Sequence, residues 1–141
     1  MILTPATDDH CPFARDLTRR AMLPYYHEFD LLWIEEAFNQ AWHWREQWLV
    51  VEDDRAVGFC SLSQDRQALY IRELHLIESA RGQGIGTHVL EQLADWARER
   101  RLPLLRLTVF KSNPAQGLYR RAGFVVMGED ECFVRMQRRV D

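Results

Sequence analysis

Cysteine is scarce in this chain of 141 residues, and the three present, Cys11, Cys60 and Cys132, form neither a CxxC pair nor a Cys/His spacing. That argues against a disulfide framework and a zinc site; reduced thiols in a reducing compartment are expected, and no metal. Positive charge is not in excess either. The net charge of −3 gives no global electrostatic case for nucleic acid, although a local basic patch is compatible with it. No apolar run approaches the ~18 residues that a membrane span needs. The opening MILTPATDDH lacks a basic start followed by a long apolar stretch, so no signal peptide is expected there. Repeats, low-complexity tracts and Pro/Ser linkers are missing. A single cytoplasmic domain over residues 1–141, with neither membrane nor nucleic acid as partner, is the expectation. Apolar and charged fractions of 47% and 28% fit a globular chain.

Apolar spacing supplies the elements. Ile2 to Thr4 predicts a short strand. Thr7 or Asp8 caps a helix to about Met22, with Phe13, Leu17 and Ala21 on one face, and Pro24 ends it. Asp30 caps a second helix whose stripe is Leu31, Ile34, Phe38 and Ala41. Gln47 to Glu52 and Ala56 to Ser63 predict a hairpin around Asp53-Asp54-Arg55. Ala68 to Leu76 is a third strand of that series. Ile85, Val89, Leu93 and Ala97 mark a helix to about Arg101, closed by Pro103. Leu104 to Phe110 alternates as a strand, Pro114 opens a short helix ended by Gly123, and Phe124 to Met127 and Cys132 to Met136 are final strands. The order predicts a mixed sheet with helices on its faces.

One strand is irregular. Leu69 and Ile71 are two apart, as are Leu74 and Leu76, but Ile71 and Leu74 are three apart. A period-2 pattern that slips in this way keeps one face only if an extra residue is accommodated, which predicts a β-bulge near Arg72-Glu73. A strand buried on both faces would carry the same letters. A bulge leaves backbone amides unpaired, next to the most unusual segment of the chain.

Glycine is otherwise sparse, 7 in all, yet three lie within RGQGIG, Arg81 to Gly86. The segment fails the dinucleotide fingerprint, since Thr87 and Val89 stand where a third glycine would fall, and it lacks the lysine of a P-loop. What remains is R-x-x-G-x-G opening an amphipathic helix, where successive amides and the helix N-terminus suit a pyrophosphate, with Arg81 as charge partner. A flexible strand-to-helix turn is the plain alternative. Downstream, directly after a predicted strand, stands NPAQGLYRRAGF, Asn113 to Phe124. Together the two motifs resemble the GNAT superfamily, the Gcn5-related N-acetyltransferases, over roughly Ala56 to Phe124.

The resemblance implies an α/β (mixed α+β) fold: a twisted mixed sheet of six to seven strands with about four helices, its fourth and fifth strands splayed around acetyl-CoA. The pyrophosphate would lie on Arg81, Gly82, Gln83, Gly84, Ile85, Gly86 and Thr87, and the pantetheine along Leu74, His75 and Leu76. Ala115, four before Tyr119, is in the family's register. Asn113 is six before that tyrosine and Ser112 seven, so the pantetheine-side contact stays open between them. Tyr119 matches the family's general acid; a tyrosine, with its reference pKa near 10, can protonate a departing thiolate. Glu73, at the bulge, is the candidate base and His75 the second. The first two helices would wall the acceptor site, with Tyr26, Glu28 and Trp33 as candidate contacts to a cationic amine. The implied activity is acetyl transfer from acetyl-CoA to a primary amine of a small molecule or amino-acid-like metabolite. A peptide amino group and a non-catalytic acyl-CoA sensor are the alternatives, and a homodimer is compatible with the resemblance.

Overall fold

A computed structural model describes residues 2–141. Seven strands form one sheet in the order β1-β2-β3-β4-β5-β7-β6. They are β1 (Leu3–Pro5), β2 (Glu46–Glu52), β3 (Arg55–Gln64), β4 (Ala68–Leu76), β5 (Leu104–Phe110), β6 (Val125–Glu129) and β7 (Phe133–Arg139), with helices α1 (Cys11–Glu28), α2 (Glu35–Trp44), α3 (Ile85–Glu99) and α4 (Ala115–Arg121). This is the mixed, helix-flanked sheet expected from the sequence. The β2–β3 hairpin turns on two residues, Asp53 and Asp54, both left-handed at φ 51° and 61°. Such a pair follows the native strand twist, and aspartate tolerates the conformation better than most side chains.

The sheet has two differently covered faces. On one, α3 lays Ile85, Val89, Leu93 and Ala97, all buried, over Cys60, Leu62, Leu69 and Ile71. On the other, Ala14, Leu17 and Trp42 of α1 and α2 pack on Phe59, whose ring stacks with Trp42 at 5.7 Å between centroids.

The bulge is where the phase slip put it. Ser61 stands opposite Glu73 and Leu62 opposite Ile71, so Arg72 is the extra residue of β4. It keeps Leu69, Ile71, Leu74 and Leu76 all against the α3 face, and turns Glu73 and His75 toward α1 and α2. Beyond the bulge β4 loses its other neighbour: β4 and β5 pair in parallel only from Ala68–Leu104 to Ile71–Leu107. Past Ile71 the two strands splay.

Two expectations fail near the N-terminus. Pro24 does not end α1, which continues to Glu28. The proline removes one backbone hydrogen bond, but the turn beyond it is held by tertiary packing: Tyr25 and Phe29 stack on Phe110 at 5.4 and 5.6 Å, and Tyr26 meets its edge at 5.7 Å. Asp30 does not cap α2. It is left-handed (φ 55°) and finishes α1, with Leu31 donating its amide to the Tyr26 carbonyl at 2.8 Å. Leu31 to Ile34 precede α2, and Leu31, Leu32 and Ile34 are exposed rather than part of a stripe. The core-facing pair of α2 is Phe38 and Trp42, four residues apart.

Candidate active site

The splay opens a cleft of about 710 Å³ running from the start of α3, between β4 and β5, to α1 and Trp33. Its lining includes Glu73, Leu74, His75, Leu76, Arg81, Gly86, Asn113, Ala115, Tyr119, Tyr26 and Trp33. Residues from both motifs, the bulged strand and the first helix therefore meet in one space.

At the α3 end, Gly82 and Gly84 are left-handed, with φ 73° and 82°, and a Cβ on either would have nothing within 4 Å. The left-handed backbone disfavours a side chain there, and the space beyond it is open. Gly86 serves differently: a Cβ there would stand 3.0 Å from Leu118 of α4. Helix α3 begins at Ile85, and its first backbone bond out of the loop is His88 to the Gly84 carbonyl at 3.1 Å. The amides of Ile85, Gly86 and Thr87 are the first-turn donors that a helix leaves unpaired. Gln83 is tied back to the Ser79 carbonyl (2.8 Å), and Arg81 Nε donates to the Leu76 carbonyl (3.1 Å). Unpaired amides, open space, an adjacent guanidinium and the helix dipole fit a diphosphate.

In the middle of the cleft the strand itself offers donors. Ile77 gives its amide to Val57 of β3 at 2.8 Å. Strand alternation then directs the backbone of Leu76 and Leu74 to the opened side, consistent with Arg81 reaching the Leu76 carbonyl there. Opposite, Tyr119 is buried, its ring edge-on to Phe124 at 5.8 Å. Burial, with the Glu73 charge adding to it, pushes its hydroxyl above the ordinary tyrosine value, so it holds its proton at neutral pH. Cys60 is fully buried, and desolvation raises its thiol too, which leaves it core rather than nucleophile. Asn113 accepts the Ala115 amide at 2.8 Å and so caps α4, while Ser112 donates to Glu28 at 2.9 Å.

On the α1/α2 face Glu73 Oε1 and His75 Nε2 are 2.8 Å apart, two residues along one strand face. Tyr26 and Trp33 pack edge to face at 5.8 Å; burial, then the Glu73 charge, raises the Tyr26 hydroxyl. Glu28 lies elsewhere, exposed and outside the cleft lining.

Sequence reading missed Arg45, which lines the cleft from the junction of α2 and β2. Its signal was available: Arg45 is in phase with Gln47 and Leu49, whose neighbours in β3 are Ser61 and Phe59. It also missed Phe110, the aromatic hub of the α1 wall, whose partners in α1 lie more than eighty residues away.

The sequence profile of the acetyltransferase (GNAT) family matches residues 14–124. The chain therefore belongs to the GNAT family of acetyltransferases. It is 38% identical over 83 residues to a streptothricin acetyltransferase of Streptomyces lavendulae, a match covering 57% of this chain and 44% of that relative. The chain thus aligns with less than half the length of that relative. Among solved structures it resembles a GNAT acetyltransferase from Elizabethkingia anophelis with acetyl-CoA bound (TM-score 0.77, 18% identity, 97% of this chain and 96% of that one). It also resembles the ribosomal-protein-S18-alanine N-acetyltransferase from Escherichia coli (TM-score 0.78, 18% identity, 99% of this chain and 93% of that one). These likenesses establish the shared fold.

Proposed function

We propose that this protein transfers the acetyl group of acetyl-CoA directly to a primary amine of a small molecule. The observation that carries this reading is the cleft itself, where helix-start amides, the unpaired backbone of β4 and the buried, protonated Tyr119 converge.

Each requirement of the reaction has a candidate group. Amides of residues 82–87, with Arg81, hold the diphosphate, and the Leu74 and Leu76 backbone aligns the pantetheine. An amide of the opened strand donates to the thioester carbonyl as charge develops there; one such donor is typically worth about 3 kcal/mol. Glu73, oriented by His75, takes the proton released as the amine nitrogen bonds to the acetyl carbon. Tyr119 gives its proton to the sulfur as the C–S bond breaks, so two protons move and charge balances. Ala115, on the same wall as Tyr119, and Asn113, which caps that helix, shape the pantetheine side. Tyr26 and Trp33 form the aromatic wall of the acceptor half.

The streptothricin acetyltransferase relative favours a small-molecule acceptor; a peptide amino group is the competing acceptor. Release of free CoA, followed with a thiol reagent over a panel of amines and short peptides, tests the reading. Turnover with at least one small amine is expected. Tight acetyl-CoA binding with no turnover on any acceptor would contradict transfer and favour a sensor.

A further inference from the structure

Buried polar atoms without partners are rare in native proteins, and each costs about 1–3 kcal/mol. Among the described residues the side-chain atoms of this kind are Thr18 Oγ1, Trp33 Nε1, Gln47 Oε1 and Ser61 Oγ. Two of the four line the cleft and two lie in the sheet beside Glu73. Thr18 and Trp33 line the acceptor half of the cleft, and Gln47, Ser61 and Glu73 face one another across β2, β3 and β4 in a single row. Thr18 and Ser61 are each only 1% exposed. Arg45 stands at the edge of this row and is half-buried. Arg15, Arg100, Arg106 and Arg138, the other arginines withdrawn from solvent, all donate to side-chain oxygens. Arg45 makes no hydrogen bond or ion pair among the described residues.

The chemistry of these groups divides in two. Arg45 and the Trp33 indole are donors without acceptors and call for an anion. Glu73, which lines the cleft with Oε1 on His75, calls for donors and positive charge. Burial lowers the Arg45 pKa and the nearby Glu73 charge works against that, yet the two side chains form no direct pair. A molecule that carries both signs answers both demands; a polycation would also meet Arg45 and Arg72 in the cleft lining.

Resting on the transferase reading above, we propose that the acceptor is a small amino-acid-like zwitterion, its carboxylate held by Arg45 and its amine directed to Glu73. The test compares matched pairs in two readouts. Acetyl transfer is measured for the twenty free amino acids, their α-amides, a tripeptide and streptothricin. Calorimetry measures binding of the N-acetylated acids and amides to the CoA-loaded protein. At least one acid should exceed its amide about tenfold or more in kcat/KM or affinity, as loss of a charge-assisted bond implies. In Arg45→Ala and Arg45→Gln that ratio should fall to about one, with CoA affinity within about twofold of wild type; a ratio unchanged in both overturns the proposal. Parity of every acid with its amide, binding of neither, or preference for streptothricin or the tripeptide also overturns it. Arg45-dependent carboxylate binding without any transfer would support the zwitterion site and contradict the transferase reading instead.

Discussion

The two halves of the cleft treat polar groups in opposite ways. On the donor side, polar side chains are spent on the protein's own backbone: Gln83 on Ser79, Arg81 on Leu76, Asn113 on Ala115, and Gln116 on Phe110 and Lys111. The groups left for a ligand are main-chain amides. On the acceptor side the backbones of β2 and β3 are paired, while Thr18 Oγ1, Trp33 Nε1, Gln47 Oε1, Ser61 Oγ and the Arg45 guanidinium lack partners among the described residues. A backbone site depends on conformation and suits a donor that never changes. A side-chain site depends on identity and suits an acceptor that must be selected.

This contrast can be broken by substitution, beginning where the effect is greatest. Phe110→Ala removes the ring on which Tyr25, Tyr26 and Phe29 rest, and should cost about 3–5 kcal/mol in denaturant unfolding. A loss below about 1 kcal/mol would mean that α1 is held past Pro24 by something else. Tyr119→Phe should lower kcat about 100-fold while acetyl-CoA affinity, by calorimetry, changes less than about twofold. Gly84→Val places a β-branched residue at φ 82°, and should weaken acetyl-CoA about tenfold or more, since left-handed backbone is costly for such a side chain.

The pH dependence sharpens the donor half. In the proposed mechanism Tyr119 acts as an acid only while protonated, and burial raises its pKa. Its deprotonation therefore cannot produce an alkaline fall in kcat below about pH 10, the ordinary tyrosine value. The rate should rise with pH and level off; a Tyr119-dependent fall near pH 8 would contradict its assignment. The smallest effects form a pair. Asn113→Ala removes a cap and should cost about 1 kcal/mol. Thr18→Val removes an unpartnered hydroxyl and should cost less than that or stabilise, yet raise KM for the acceptor. Equal destabilisation of the two would erase the distinction between the halves.

The same contrast explains what the sequence revealed. The fold around the glycine loop was legible because its signals are local: the glycines before an amphipathic helix, the phase slip between Ile71 and Leu74, and a short helix between Pro114 and Gly123. Each lies within a dozen residues and is fixed by backbone geometry. The acceptor half depends on distant contacts. Continuation of α1 past Pro24 rests on Phe110, and the non-helical Leu31 to Ile34 follows the left-handed Asp30. Glu28, read as facing substrate, is instead bonded to Ser112, 84 residues away. The placement of Arg45 was legible in its phase with Gln47 and Leu49, but its lack of a partner is displayed only by the assembled sheet.

The most direct test is a crystal structure of the acetyl-CoA complex. The diphosphate should accept hydrogen bonds from amides within residues 82–87, and the thioester carbonyl should lie within hydrogen-bond distance of the Leu74 or Leu76 amide, its sulfur near Tyr119. A donor seated outside the gap between β4 and β5, or a diphosphate away from the α3 start, would contradict the account.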